Sequence, residues 1–192
     1  MNYFKKMLEP FKEEYIVKTI AFLGIMGAFS ILLSKFANIK VLPTLNIGFG
    51  SVANRVVDFV FGPIVGAIFG GVMDIVKFFL NPGNGPFHFG FTFNAIVASI
   101  LFGAVVYKKK ITILRIFFAN LLVKVIVNIG LNTFWLSQLY GKGFFAIIVP
   151  RLFSNVVMLG IDTALYFIIF KAISEIANNY LPDSNKKNYE AQ

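Results

Sequence analysis

The chain of 192 residues contains no cysteine and only one histidine, His88. Without cysteine there are no disulfide bonds, no thiol nucleophile and no cysteine-ligated metal site. A single histidine supplies no histidine pair for a metal ion, and the sequence offers no obvious base to activate a nucleophile. His88 lies in the Gly- and Pro-containing stretch NGPFHFG, and we expect it to be a surface residue. We therefore expect no metal, no cofactor and no enzymatic activity.

Charged residues are also scarce. They make up 14% of the chain, while 57% of the residues are hydrophobic. Soluble domains carry about 25% charged residues. So little charge cannot cover a water-facing surface, and the composition therefore indicates an integral membrane protein. No cleavable signal peptide is visible, because the N-terminus is polar and the first apolar run is long.

Apolar runs long enough to cross a bilayer predict an all-α membrane bundle, since each crossing helix needs about 20 mostly apolar residues. Between residues 45 and 80, Gly62-Pro63 divides a less apolar stretch into a short helix and a further span. The total is six transmembrane helices in a single domain, 1–192, with short polar cytoplasmic tails at 1–14 and 178–192. Four runs are clear on length alone: 16–34, 91–107, 113–136 and 145–173.

The distribution of lysine and arginine predicts the topology. With both termini in the cytoplasm, the inner side carries both tails and the Lys108–Lys110 run, whereas the outer side carries few basic residues. Cytoplasmic loops of membrane proteins are enriched in lysine and arginine. We therefore predict cytoplasmic N and C termini, and we attribute the net charge of +9 to this asymmetry rather than to a nucleic-acid partner.

The predicted outer loops are rich in Pro, Gly and Asn, which favour turns over helices. The first of them is long enough to act as a lid. These loops span residues 35–48, 81–90 and 138–144.

Small residues mark two helix faces. Gly24 and Ala28 form a small-xxx-small pair on the first helix, and such pairs let another helix approach closely. Gly62, Gly66 and Gly70 repeat every four residues further along the chain. For both faces, the residues alone favour packing inside the bundle over contact with a partner protein.

Polar residues also fall on single helix faces. Asp74 continues the glycine stripe by one more turn and should face the bundle interior. The predicted fifth helix carries a polar stripe at spacings i, i+4, i+8 and i+11, and the sixth carries one at i, i+4 and i+11. The members of these two stripes are Lys124, Asn128, Asn132 and Trp135, and Arg151, Asn155 and Asp162.

Depth separates these residues into two groups, because the fifth and sixth helices run antiparallel. Lys124 and Asp162 lie deeper, at similar levels, and we predict that they pair, since a buried charge needs a partner. The residues nearer the outer ends of the helices form the second group, which comprises Asp74, Asn132, Trp135, Arg151 and Asn155. This group supplies a flat ring, amide donors and acceptors, and a guanidinium group, which suit a planar anionic small molecule. Alternatively, Trp135 and Tyr140 only anchor the helix end at the membrane boundary, and Arg151 only pairs with Asp74.

The chain resembles the substrate-binding S components of energy-coupling factor (ECF) vitamin transporters, and within them the folate-specific branch. The resemblance covers nearly the whole chain. Its most specific parts are LNTFWLSQLYGKG (131–143) and VPRLFSNVV (149–157). Further support comes from GAFSILLSKF (27–36), FGPIVGAIFGGVMDIVKFFLNP (61–82) and FHFGFTFNAIVASILFG (87–103).

The resemblance implies a subunit of a bacterial plasma membrane that captures a vitamin, here folate, on the outer side. Such subunits dock on a transmembrane coupling protein that carries two ATPase subunits. This agrees with the absence of a P-loop motif from the chain. Members commonly use an Ala-x-x-x-Ala pair on the first helix for docking, and Gly24 and Ala28 occupy the matching positions. The resemblance therefore favours docking over internal packing for this face.

For the ligand, the resemblance implies a site that accepts a flat pterin and a glutamate tail. Under this hypothesis Asp74, Asn94, Asn132 or Asn155 contacts the pterin edge, Trp135 or a loop phenylalanine stacks on it, and Arg151 or Lys77 meets the carboxylates. Two alternatives remain open from the sequence. One is an S component for another vitamin, such as riboflavin or thiamine, and the other is a structural membrane subunit with no ligand.

Overall fold

The computed structural model describes residues 13–36, 38–42, 45–80, 86–141 and 143–180, with side chains described for 16–36, 49–80, 86–141 and 143–174. Most of the two predicted tails therefore lies outside the described residues. Within the described ranges the chain forms six helices, as predicted. They are α1 (Glu13–Phe36), α2 (Val52–Phe61), α3 (Pro63–Leu80), α4 (Phe89–Val106), α5 (Ile113–Tyr140) and α6 (Phe144–Tyr180).

Five of these helices are long and apolar enough to cross a membrane, and α2 is the exception. Its 10 residues span about 15 Å, which is half of a hydrocarbon core of about 30 Å. Nearly every residue of α2 is buried, including Arg55 and Asp58. The short helix predicted before Gly62 is thus an interior element of the membrane bundle, surrounded by longer helices.

The break between α2 and α3 depends on Gly62. This residue has a φ of 87°, which disfavours any residue with a side chain. A Cβ atom there would also lie 2.8 Å from the Tyr107 ring. Pro63 then begins α3, a position where its missing N–H has no cost.

The first predicted outer loop contains a small antiparallel sheet. Strand β1 (Asn38–Leu42) pairs with β2 (Leu45–Gly48), with Asn38 opposite Gly48 and Leu42 opposite Leu45. The Pro, Gly and Asn residues of this segment predict turns, and the two strands are an addition to that prediction. The hairpin adds one two-stranded sheet to a bundle that is otherwise helical in its described residues.

Glycines bring α2, α3 and α4 into close contact. A Cβ atom on Gly66 would lie 2.0 Å from Asp58 Oδ1, and one on Gly70 would lie 3.2 Å from the Ala95 carbonyl oxygen. On α4, a Cβ atom on Gly103 would lie 2.8 Å from Pro63 Cα. The internal packing predicted for the glycine stripe is confirmed for Gly66 and Gly70.

The apolar core lies toward the opposite end of the bundle from the hairpin. Phe59 of α2 stacks on Phe170 of α6 with ring centroids 4.5 Å apart, and Phe102 of α4 contacts Phe170 edge to face. All three rings are almost completely buried. We call the other end, where α1, α3 and α5 finish and α4 and α6 begin, the hairpin end. The cavities described below lie toward it.

Candidate ligand-binding site

Two adjoining cavities lie between the helices, and Lys77 lines both. The outer cavity, nearer the hairpin end, has a volume of about 390 Å³, and the inner cavity has a volume of about 260 Å³. The outer cavity is bordered by the ends of α1, α3 and α5 and by the segment that leads into α4. The inner cavity is bordered by α2, α3, α4, α5 and α6.

Two predicted site residues of α3 line the outer cavity and are held by neighbouring elements. Asp74 Oδ2 accepts a hydrogen bond of 2.8 Å from Thr92 Oγ1 of α4. Lys77 Nζ donates a hydrogen bond of 2.9 Å to the Gly50 carbonyl oxygen. An ammonium group has three donors, so Lys77 keeps hydrogens for a ligand in either cavity.

His88 also lines the outer cavity, and the expectation that it is a surface residue is wrong. Its side chain is half-buried, because its Nδ1 caps α4 by accepting a hydrogen bond of 3.0 Å from Gly90 N. The imidazole ring also packs 5.3 Å from the Trp135 ring, centroid to centroid. An imidazole whose Nδ1 accepts carries its proton on Nε2 when neutral. His88 therefore brings an aromatic surface and a potential N–H donor to the cavity wall.

Trp135 joins α5 to α4. Its Nε1 donates a hydrogen bond of 3.2 Å to Asn94 Oδ1. The indole also packs against the backbone of Gly90, where a Cβ atom would lie 2.4 Å from the ring. Tyr140 lines the outer cavity yet is 54% exposed at the end of α5. The end of α5 thus borders the outer cavity and also exposes an aromatic side chain at its tip.

The inner cavity is lined by side-chain amides and two ion pairs. Its four asparagines come from three helices and are Asn54 of α2, Asn94 of α4, and Asn120 and Asn128 of α5. Arg55 Nη1 lies 2.6 Å from Asp58 Oδ2, and Lys124 Nζ lies 2.7 Å from Asp162 Oδ2. The predicted pairing of Lys124 with Asp162 is confirmed. Each pair is neutral as a whole, so the inner cavity offers many hydrogen-bonding groups, and Lys77 adds the one cation of its lining that has no ion-pair partner among the described residues.

Sequence reasoning missed several residues of the inner cavity. Asn120 precedes Lys124 by one turn, so extending the predicted stripe toward the start of α5 would have included it. Asn54 and Arg55 belong to α2, whose weak hydropathy hid its role as an interior helix. Arg55 is only 7% exposed, its Nη1 also donates to the Ala98 carbonyl oxygen, and its guanidinium lies over the Phe102 ring.

Other predicted site residues lie outside the lining of these two cavities. Asn155 Oδ1 accepts a hydrogen bond from Asn128 Nδ2, and Asn155 Nδ2 donates to the Arg151 carbonyl oxygen. Asn155 therefore positions Asn128. Arg151 forms no ion pair with Asp74 among the described residues, and its Nε is buried without a described partner.

Asn132 is half-buried and does not border either cavity. The preceding segment, Val123–Leu131, is a π-helix, in which each turn holds more residues than in an α-helix. The stripe extrapolated at α-helical spacing therefore drifts around the helix by this position.

Gly24 and Ala28 both lie on the exposed face of α1. A Cβ atom on Gly24 would meet nothing within 4 Å. Gly27 faces the other way, and a Cβ atom there would approach Met73 of α3. The small-residue pair is therefore not used for packing within the described part of the bundle.

A multi-pass helical bundle with a polar cavity near one end is the architecture of a membrane protein that holds a small molecule. The family model for the substrate-specific component of ECF transporters matches residues 18–170. The chain therefore belongs to this family, whose members are transport subunits rather than enzymes.

Individual relatives are folate transporters. The folate transporter FolT of Clostridium novyi (strain NT) is 28% identical over 160 residues, which covers 83% of this chain and 92% of that protein. FolT of Leuconostoc mesenteroides subsp. mesenteroides is 30% identical over 133 residues, covering 65% and 71%. A crystal structure of FolT bound with folic acid matches with a TM-score of 0.71 and 35% identity, covering 79% of this chain and 92% of the other.

Proposed function

We propose that this protein is the folate-capturing subunit of an ECF-type importer in a bacterial plasma membrane. The observation that carries the proposal is the pair of adjoining cavities joined at Lys77. Folate combines a flat, hydrogen-bonding pterin with a dicarboxylate tail, so it needs one region rich in amides and another with a free cation. Solved and curated relatives named as folate transporters support the same ligand.

The cavities suggest how the two parts of folate are held. The amides and balanced ion pairs of the inner cavity suit the edges of a neutral heterocycle. Lys77 is a cation without a salt bridge among the described residues, and it is placed to attract a carboxylate of the tail. In this arrangement Asn94 contacts the pterin edge, Trp135 orients Asn94, and Asp74 lies with Lys77 in the outer cavity. Asn155 positions Asn128, and Asn132 and Arg151 lie farther out.

Binding to the purified protein tests the ligand directly. We expect tritiated folate to bind at nanomolar to micromolar concentration, with weak competition from riboflavin and thiamine. Absence of folate binding would overturn the substrate assignment. Tight binding of riboflavin or thiamine instead would support an S component for another vitamin, and binding of no vitamin would favour a structural subunit.

The exposed face of α1 is the proposed docking surface for the coupling protein. Gly24 and Ala28 leave a surface of small residues there, which lets a second helix approach closely. Both termini would lie in the cytoplasm, together with the two ATPase subunits. The hairpin end would then face outward, where β1 and β2 could act as a lid over the outer cavity.

A bulky side chain on this surface tests docking separately from ligand binding. We expect Gly24→Leu to prevent co-purification with the coupling protein and its ATPases while folate affinity stays unchanged. Ile25→Phe, a matched enlargement at an exposed position about 100° around α1, should leave both properties intact. Normal complex formation by Gly24→Leu would exclude this surface.

A further inference from the structure

The inner cavity contains asparagine amides whose orientation is set by their partners. The oxygen and nitrogen of an asparagine amide have nearly the same shape, so orientation must be deduced from the hydrogen bonds they form. An amide oxygen only accepts and an amide nitrogen only donates. For three of the four asparagines, one hydrogen-bond partner is compatible with only one orientation of the side-chain amide. These are Asn94, Asn120 and Asn128.

Asn94 is oriented by Trp135. An indole N–H only donates, so the atom of Asn94 that lies 3.2 Å from Trp135 Nε1 must be Oδ1. The other amide atom, Nδ2, is buried and has no partner among the described residues. Asn94 is only 7% exposed and lines the inner cavity. A buried donor without a partner costs about 1–3 kcal/mol, so this N–H group calls for an acceptor from a ligand.

Asn120 has the opposite orientation. The single hydroxyl hydrogen of Thr163 is engaged by the Leu159 carbonyl oxygen at 2.6 Å. Thr163 Oγ1 can therefore only accept from Asn120, whose Nδ2 lies 3.3 Å away. Asn120 Oδ1 is left without a described partner.

Asn128 follows the same logic through Asn155. Nδ2 of Asn155 donates to the Arg151 carbonyl oxygen at 2.9 Å, so its Oδ1 is the atom that faces Asn128. Asn128 must then donate from Nδ2, at 3.2 Å, and its own Oδ1 is left without a described partner. Two asparagines of α5 therefore keep an unengaged carbonyl oxygen, whereas Asn94 of α4 keeps an unengaged N–H group.

Charged residues extend this division. Arg55 of α2, which can only donate, lines the cavity with α4 and forms a hydrogen bond to the α4 backbone at Ala98. Asp162 of α6, which accepts when ionised, lines it beside α5 and engages Lys124. The unengaged asparagine atoms are therefore an N–H group on the α4 side and two carbonyl oxygens on the α5 side. The Lys124 ammonium group also lines the α5 side, where Asp162 holds it.

We propose that this fixed polarity of the asparagines makes the inner cavity selective for a heterocycle edge that carries an oxo acceptor at one end and an amino donor at the other. The inference rests on the proposed function and refines it. The 4-oxo group of a pterin would accept from Asn94 and Arg55, and its 2-amino group would donate to Asn120 and Asn128. A 2,4-diaminopteridine has an amino donor in place of the oxo acceptor. Its 4-amino group and the Nδ2 group of Asn94 would then be two donors facing each other.

The test compares folate with 4-amino-4-deoxyfolate, which carries an amino group in place of the 4-oxo group and, when neutral, has no hydrogen on N3. We expect the wild-type protein to bind folate at least about tenfold more tightly, because one buried donor stays unpaired with the diamino ligand. Asn94→Asp keeps an oxygen for Trp135 but replaces the inward N–H with an acceptor. This variant should lose at least about tenfold in folate affinity and bind the diamino ligand more tightly than folate.

Gln138→Glu is the matched control, because it makes the same amide-to-carboxylate change at an exposed position of α5. The ratio of the two dissociation constants should remain at the wild-type value in this variant.

A second variant covers the case in which Asn94→Asp does not fold. Trp135→Phe removes the N–H that orients Asn94, so the amide becomes free to rotate and present either atom to the ligand. The ratio of the dissociation constants of the two ligands should then fall toward unity. Size-exclusion profiles verify that the variant is folded.

The outcomes separate the two proposals. Folate binding by the wild type with an unaltered ligand ratio in Asn94→Asp and Trp135→Phe would overturn the polarity inference and leave the proposed function in place. If the wild type binds neither ligand, the proposed function fails and the inference fails with it.

Discussion

The ion pair between Lys124 and Asp162 supports a quantitative prediction. The side chains are 8% and 16% exposed, and Nζ lies 2.7 Å from Oδ2. Breaking a buried pair from one side leaves an uncompensated charge and costs about 3–5 kcal/mol. We expect Lys124→Met and Asp162→Leu each to lower the free energy of unfolding by about this amount. Lys124→Met should lie toward the lower end, because the charge it leaves behind, on Asp162, is the more exposed of the two.

The double variant Lys124→Met/Asp162→Leu should be close to wild type. Replacing both members of a buried pair with apolar residues of similar volume is often neutral or stabilising. The coupling between the two sites would then equal the sum of the two single effects, about 6–10 kcal/mol, well above the roughly 0.2–1 kcal/mol typical of exposed pairs.

Unfolding in detergent without ligand measures these differences. Lys171→Met serves as a control, because Lys171 lies on the same helix and is exposed. It should change stability by less than about 0.5 kcal/mol. Additive effects of the two single substitutions, with the double variant the least stable, would refute the reasoning.

Other substitutions test the remaining contacts. Gly66→Ala should destabilise the protein by about 1–3 kcal/mol, because its Cβ would meet Asp58, whereas Gly24→Ala, whose Cβ meets nothing within 4 Å, should be neutral in the same unfolding assay. His88→Asn should retain the helix cap and stability, since asparagine caps well, but lower folate affinity by about two- to tenfold through loss of the ring, as measured by calorimetry. Lys77→Met should lower folate affinity by about 10- to 100-fold but affect pteroate, which lacks the glutamate, much less; equal losses for both ligands would place the tail elsewhere.

The positions of the helices and the deep ion pair follow from sequence because the membrane imposes strict requirements. Each span needs a long apolar run, so five helices stand out. Buried charges are few in such a chain, so Lys124 and Asp162, at matching depth on antiparallel helices, have little choice of partner. The helical spacing of these two residues and their depth along the helices were sufficient to predict the ion pair.

The site itself was less predictable, for three physical reasons. His88 is drawn inward by the cap at Gly90 and by Trp135, and these contacts exist only after α4 and α5 pack. Arg55 lies on a helix that protein rather than lipid surrounds, so its hydropathy gives little guidance. Asn132 follows a π-helical segment, which a periodicity of 3.6 residues per turn does not anticipate.

The β-hairpin was not predicted either. Its segment contains Pro and Asn residues that favour turns, and two strands this short give almost no alternating pattern. Strand pairing within a connecting loop depends on how the loop closes between α1 and α2.

The chain has a single tryptophan, and that residue joins α4 to α5 beside the candidate site. All tryptophan emission from the purified protein therefore reports on one place, with no background from other indoles. Pteridines absorb near-ultraviolet light in the range where indoles emit, so a bound ligand should quench this emission through energy transfer. The protein thus carries its own optical sensor, and occupancy could be followed in real time without a label.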